Sequence, residues 1–287
     1  MHPNRSLSLR EALVRFSSAE LPETREIADK LRELAEGGLP TLMKYTEASP
    51  FTQSLPQKRR EIISDLAIEQ PASRRGEIGE SRFLGAAIPP FAARVFLASF
   101  LAKEQGMSYQ HVASNLYGVS NEMVSESIER IFAGISLHDK PPEELEMIQV
   151  TADYEMSVGA IYELIRHRLA THLVSGFTPD NGFTVPSVYY DLGVEKDYIR
   201  AIELVERQYD LVSELGPEYE RVFGPYFVAR GHLQPVTVRM SGADIFHFIK
   251  IRAQEAAHPD IGTPALGVEQ FLRDTEPILF GHIVKKE

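Results

Sequence analysis

Arg166, His167 and Arg168 put two guanidinium groups and an imidazole side by side in an otherwise apolar run, YELIRHRLATHLVSG, residues 162–176. Arginine does not shed its proton, so a guanidinium drawn towards a core needs a carboxylate partner or a cavity filled by an anion. On a helical wheel over 161–173, Ile161, Leu164, Ile165 and Leu169 form one apolar stripe. Arg168 and His172 fall inside that stripe, Arg166 at its edge, and His167 points away. Two further cations follow. Arg230 sits in YFVARGHLQP, before an alternating stretch, and Arg252 ends DIFHFIKIR in line with Ile245, Phe248 and Ile249. Taken singly, each suits an internal ion pair, as Arg168 with Asp153 or Glu155. Taken together, they suit a cleft for a compact anion, carboxylate or phosphate.

The rest of the chain must position these groups. With 287 residues, 43% hydrophobic and 25% charged, it has the make-up of a soluble globule of one large or two modest domains. A net charge of −11 works against sequence-independent nucleic-acid binding, which needs a basic face to displace counterions. There is no cysteine, so disulfides, thiolate nucleophiles and cysteine-type zinc sites are excluded. A cytoplasmic location fits the lack of cysteine, and MHPNRSLSLREAL lacks the apolar core of a signal peptide. Residues 83–102 are the most apolar stretch, but Pro89, Pro90 and Arg94 interrupt them, predicting a loop and a buried helix rather than a membrane span.

Periodicity predicts a helix over 24–37, with Ile27, Leu31 and Leu34 on one stripe and Gly37 closing it, and another over 57–70. PASRRGEIGES (71–81) reads as a linker. Three helices follow: one with Pro90 in its first turn and Gly106 at its end, one capped by Ser108, one capped by Ser120. Strand alternation marks 146–154, where Ile148, Val150 and Ala152 oppose Gln149, Thr151 and Asp153, and also 235–240. Helices are expected over 157–173, 194–214 and 244–254, the last opened by a Ser241/Asp244 capping box. Strands and helices without a βαβ rhythm give an α+β fold class with a helix-rich N-terminal half. The divisions expected are a helical region 1–78, a helical segment 79–137 and a core 138–287.

The triplet, a nearby hydroxyl residue, an Ala-Arg segment and an apolar helix ending in arginine together resemble the flavin-dependent thymidylate synthases. Their motif RHRxxSxxxxSxR is met at Arg166, His167 and Arg168. Thr171 stands for its first serine, Ser175 lies one place before its second, and Phe177 stands near the missing last arginine. VARGHLQP (228–235) resembles the family's Ala-Arg-x-x-Leu-Pro segment with one residue added. MSGADIFHFIKIR (240–252) resembles its Asn-x-Arg helix, with Ser241 and Ala243 replacing Asn and Arg, and AHPDI (257–261) and KYTEASPF (44–51) echo two other segments. The resemblance spans roughly residues 144–275.

That resemblance implies an antiparallel sheet flanked by long helices over 138–287, and the methylation of dUMP to dTMP at C5 or a closely related flavin reaction. It implies FAD as cofactor, with methylenetetrahydrofolate and NADPH as co-substrates. No cysteine nucleophile is needed for this route, which suits a chain that has none. Arg166, His167 and Arg168 are implied to bind flavin; Arg230, Arg252, Thr171 and Ser175 to bind a small anionic nucleotide. Arg252 is also implied to be catalytic, stabilising negative charge as it develops on the pyrimidine. A homo-oligomer, a tetramer with sites shared between subunits, is implied in the same way.

Three other readings stand beside it. A catalytically degenerate relative would keep nucleotide or flavin binding alone. Residues 106–132 have the rhythm of a helix-turn-helix with Val124 and Ile128 inwards, but Glu122, Glu126 and Glu129 on its second helix suit DNA poorly. Glu163 and His167 are four apart with His247 and His258 elsewhere, yet no HExxH cluster exists, so no metal is expected. His172 and His247 read as hydrogen-bonded core histidines. Tyr189, Tyr190 and the acidic helix 194–214 read as packing and surface.

Overall fold

The computed structural model describes residues 9–19, 21–36, 46, 50–105, 107–254 and 257–285. In chain order these form α1 (Leu9–Ser17), α2 (Pro22–Glu36), α3 (Pro50–Asp65), β1 (Arg82–Ala87), α4 (Ala92–Gln105), α5 (Tyr109–Leu116) and α6 (Asn121–Phe132). Then come β2 (Gln149–Ser157), α7 (Val158–Leu164), β3 (Thr171–Val174), α8 (Ser187–Asp191), α9 (Glu195–Glu214) and α10 (Pro217–Phe223). Last are β4 (Leu233–Ser241), α11 (Gly242–Arg252), α12 (Pro259–Thr275) and α13 (Pro277–Phe280). Gly37, Gly106 and most of KYTEASPF lie outside the described residues. No helix among those described is long and apolar enough to cross a membrane.

Contacts divide the chain into two units, Met1–Arg74 with Leu204–Val228, and Arg75–Glu203 with Ala229–Glu287. One division falls inside the 71–81 stretch and another inside α9. In the first unit α1 meets α2 through Leu13 and Ala28, both fully buried. Ile27, Leu31 and Leu34, the apolar stripe read for α2, are exposed.

The second unit is α+β, built on an antiparallel sheet in the order β1-β2-β4-β3. Its centre is the pairing of β2 with β4, from Gln149 opposite Ser241 to Ser157 opposite Leu233. The period-two pattern decides which face is dry. Val150, Ala152 and Tyr154 lie opposite Met240, Val238 and Val236, and all six are buried. On the other face Thr237 donates from Oγ1 to Asp153 Oδ1 at 2.6 Å. The dry face joins one hydrophobic cluster with α4, α6, α11 and α12. Phe96, Phe132, Phe246 and Phe280 run through it with ring centroids 5.6–6.0 Å apart.

Caps behave as their residue types dictate. Ser108 accepts from His111 N–H, Ser120 from Met123 N–H, and Ser241 with Asp244 forms the capping box that opens α11. Val124 and Ile128 of α6 face inwards.

Several expectations fail; the helix expected over 57–70 runs Pro50–Asp65. Residues 82–87 form a strand rather than a loop: β1 pairs with β2 and gives the sheet its outer edge there. Pro90 sits in the turn before α4, where Phe91 takes a left-handed φ of 60°. The helix expected over 157–173 stops at Leu164. His167 N–H bonds to Leu164 O at 3.0 Å and Ala170 N–H to His167 O at 3.0 Å, tight turns that break the helical ladder. Thr171 to Val174 then pair with β4, opposite Arg239 to Val236. Ladder bonds to an otherwise open strand edge outweigh a local helical preference of a few tenths of a kcal/mol per residue. The wheel drawn through residue 173 therefore does not exist. Arg168 is exposed, as are Ile165 and Leu169, while His167 turns partly inwards.

Gly267 of α12 faces β1, and a Cβ there would lie 2.6 Å from Phe83 Cβ. Gly267→Ala gains about 1 kcal/mol of helix propensity but forces apart a strand and a helix, costing about 2–3 kcal/mol. Net destabilisation of roughly 1–2 kcal/mol is expected in urea unfolding; a variant as stable as the parent would refute this account of the α12–β1 contact.

Candidate functional site

The chain on either side of β4 builds a cavity of about 480 Å³. Val158 N–H donates to His232 O and Gly159 N–H to Arg230 O, each at 2.9 Å, which fastens the start of α7 to the segment before β4. Arg230 is thereby held beside Gly159 and lines the cavity. Arg252 arrives from the other end of β4, as the last residue of α11, and lines the same cavity. Arg230 and Arg252 therefore converge. Arg230 has no ion-pair partner among the described residues.

Arg252 is held from two sides. Its Nη2 lies 3.6 Å from Glu163 Oε2, and its Nε donates to His167 Nε2 at 3.4 Å. Glu163 is shared, because its Oε1 pairs with Arg166 Nη1 at 3.0 Å. His167 can accept only as a neutral imidazole. Burial, then the charge of Arg252 and the nearby His247 and His172, lower its pKa from 6.5 to about 4. Phe248 packs edge-on to its ring at 5.2 Å.

The other expected residues lie apart. Arg168 is exposed and outside the cavity. Asp153 accepts from Thr237 and Glu155 pairs with Arg82 at 3.1 Å, so neither is the internal partner considered for Arg168. Thr171 is exposed on β3, and Ser175 donates to Pro235 O at 3.1 Å; neither lines the cavity. His172 lies on β3, half-buried, with Nε2 lacking a hydrogen-bond partner. His247 is exposed on α11 rather than in the core.

Other residues of the cavity lining were not singled out in the sequence. Asp260, in the first turn of α12, accepts through Oδ2 from Ser157 Oγ at 2.6 Å and Thr184 Oγ1 at 3.3 Å. Tyr198 packs against Tyr189 with centroids 5.0 Å apart, and burial with Tyr189 and Asp260 nearby pushes its pKa up to about 12. A Cβ on Gly231 would fall 1.9 Å from the Tyr198 hydroxyl, so only glycine allows that approach. Asp260 carried one readable signal, its place in AHPDI (257–261), which echoes a family segment. Tyr198 carried none beyond its place on α9.

A second cavity, about 560 Å³, lies along α11 and the loop 135–141. Leu169, Ala243, His247 and Lys250 line it, with His138 and Lys140 from the loop. Three of its four acids are engaged, Asp139 with Ser136, Asp244 with Ser241 and Glu143 with Lys103; the fourth is Glu146. No group of His, Asp or Glu among the described residues is arranged to hold a metal ion.

The family model described as thymidylate synthase complementing protein matches residues 88–278. The chain is 27% identical over 138 residues to UPF0159 protein Ta1429 of Thermoplasma acidophilum, a match covering 48% of this chain and 26% of that protein. It thus spans about a quarter of the length of that curated relative. In structure it is similar to the UMP/dUMP methylase PolB from Streptomyces cacaoi bound with 5-Br dUMP. The TM-score is 0.54 at 13% identity, over 72% of this chain and 96% of that one, a likeness of fold.

Lowering the His167 pKa from 6.5 to about 4 means that the unfolded chain takes up this proton first as pH falls. Stability from this residue is complete above 6.5 and is lost as pH falls towards about 4. In urea titrations across that window, His167→Gln should lose less stability than the parent. Parallel pH dependence in the two proteins would contradict the half-buried, neutral imidazole.

Proposed function

Because the chain belongs to the family of the thymidylate synthase complementing protein, we propose that it methylates C5 of a uridine nucleotide, dUMP to dTMP, bound in the cavity between Arg230 and Arg252. The observation carrying this reading is the convergence of two guanidiniums, from either end of β4, on one cavity. Arg230 has no carboxylate to neutralise it among the described residues, which suits a ligand phosphate. Arg252 donates towards the pyrimidine and stabilises negative charge as it develops there. Glu163 holds Arg252 loosely, at 3.6 Å, so the guanidinium keeps donors for the ligand. Neutral His167 orients Arg252 through Nε2 without adding charge to the site.

The residues present also suit FAD. Beside the turn carrying Arg166, His167 and Arg168, the second cavity offers Lys140, Lys250 and His247, while three of its four acids have partners within the protein. The two lysines are fitted to a cofactor phosphate chain, and Lys250 lies about two turns along α11 from Ala243, where the family carries arginine. When bound, reduced flavin supplies the hydride, methylenetetrahydrofolate the carbon and NADPH the reducing power. Thr171 and Ser175 lie on or beside the outer strand, so their part in substrate binding requires a neighbouring subunit. A homo-oligomer, a tetramer in this reading, brings them to a shared site. The cytoplasm is the expected compartment. DNA is not an expected partner, since α6 exposes Glu122, Glu126 and Glu129.

Purified protein mixed with FAD should show flavin absorption after desalting, and with methylenetetrahydrofolate and NADPH it should convert dUMP to dTMP. Arg252→Ala should lower turnover by roughly 10²–10³-fold, the usual cost of one charge-stabilising donor. Protein that retains no flavin and yields no dTMP would defeat the proposal.

A further inference from the structure

Resting on the nucleotide reading above, we infer that Asp260 accepts a hydrogen bond from a neutral donor of the bound nucleotide, an O–H or N–H group, so that the cavity selects its ligand by a donor as well as by charge. Asp260, Arg230 and Arg252 line one cavity, yet Asp260 pairs with neither arginine among the described residues. Glu163 already neutralises part of the charge on Arg252. A second carboxylate that pairs with neither guanidinium gives the cavity an accepting group beside its cationic ones.

The carboxylate is aimed rather than loose. Ser157 and Thr184, 2% and 5% exposed, both donate to Oδ2. Oδ1 has no hydrogen-bond donor among the described residues. Ser157 is itself fixed as the cap of α7, accepting from Ala160 N–H at 3.2 Å. Asp260 N–H bonds to His258 Nδ1 at 3.3 Å, and the first turn of α12 favours a negative charge. Two anchored donors thus hold one oxygen and leave the other for a partner that none of the described residues supplies.

Carboxylate chemistry limits that partner. An acceptor repels a phosphate and gains nothing from a carbonyl, so the partner donates. A uridine nucleotide offers its sugar hydroxyls and the base N3–H. Both are the same chemistry to Asp260, and the assay separates them.

Titration calorimetry with dUMP, its 2′,3′-dideoxy analogue and N3-methyl-dUMP would be run on the parent protein, Asp260→Asn and Asp260→Ala, each checked by its melting curve. The parent should bind one analogue roughly tenfold or more weakly than dUMP, the scale of one charge-assisted hydrogen bond. Whichever analogue is weakened identifies the donor. In Asp260→Ala that difference should fall to about twofold or less, with dUMP weakened to the level of the analogue. Asp260→Asn, which keeps the side-chain shape, should move the difference in the same direction. Equal binding of all three ligands by the parent overturns the inference even if the alanine variant does not fold. A full difference surviving in either variant overturns it too. A parent that binds no dUMP at all removes the nucleotide reading itself, a separate outcome.

Discussion

The antiparallel pairing of Gln149–Ser157 with Leu233–Ser241 is the constraint from which both cavity arginines take their positions. Past Ser157 it continues as Val158 N–H to His232 O and Gly159 N–H to Arg230 O, which fixes Arg230 before the strand begins. At the other end of the strand, Ser241 leaves the sheet and caps α11, and eleven residues later that helix delivers Arg252. Sliding the register by one residue would turn Val236, Val238 and Met240 out of the core, so the pairing resists such a slip. Site geometry and core burial are therefore one and the same requirement.

Charge is distributed around the cavity so that it stays incompletely neutralised. An overall charge of −11 gives the chain acid in excess, yet Arg230 has no carboxylate partner among the described residues and Arg252 shares Glu163 with Arg166. His167, which would add a third positive charge beside Arg252, is kept neutral by burial and by Arg252 itself. Asp260 is occupied by two hydroxyls instead of an arginine. A site organised only for stability would have paired these groups.

Much of this was legible in the sequence where one local rule decides the outcome. Alternation gave both central strands, and Ser108, Ser120 and Ser241 marked helix starts by their capping chemistry. Arg230 and Arg252 stood out because a cation in or beside an apolar run demands an explanation. The failures are tertiary. Nothing between Ile165 and Val174 announces that a strand edge will claim 171–174, so the wheel placed Arg168 inwards when it is exposed. Residues 82–87 look like a loop because β1 has a bulge between Phe83 and Gly85 and becomes a strand only against β2. Asp260, Thr184 and Ser157 are separated by 76 and 103 positions, a distance at which no spacing rule operates.

The central claim is that Arg230 and Arg252 hold one ligand between them. Calorimetric dUMP affinities for the parent, Arg230→Ala, Arg252→Ala and the double variant test it directly. Each single change should weaken binding by roughly tenfold or more while leaving the melting transition near that of the parent, and the two effects should be coupled. Unaltered affinity in both single variants would contradict the account.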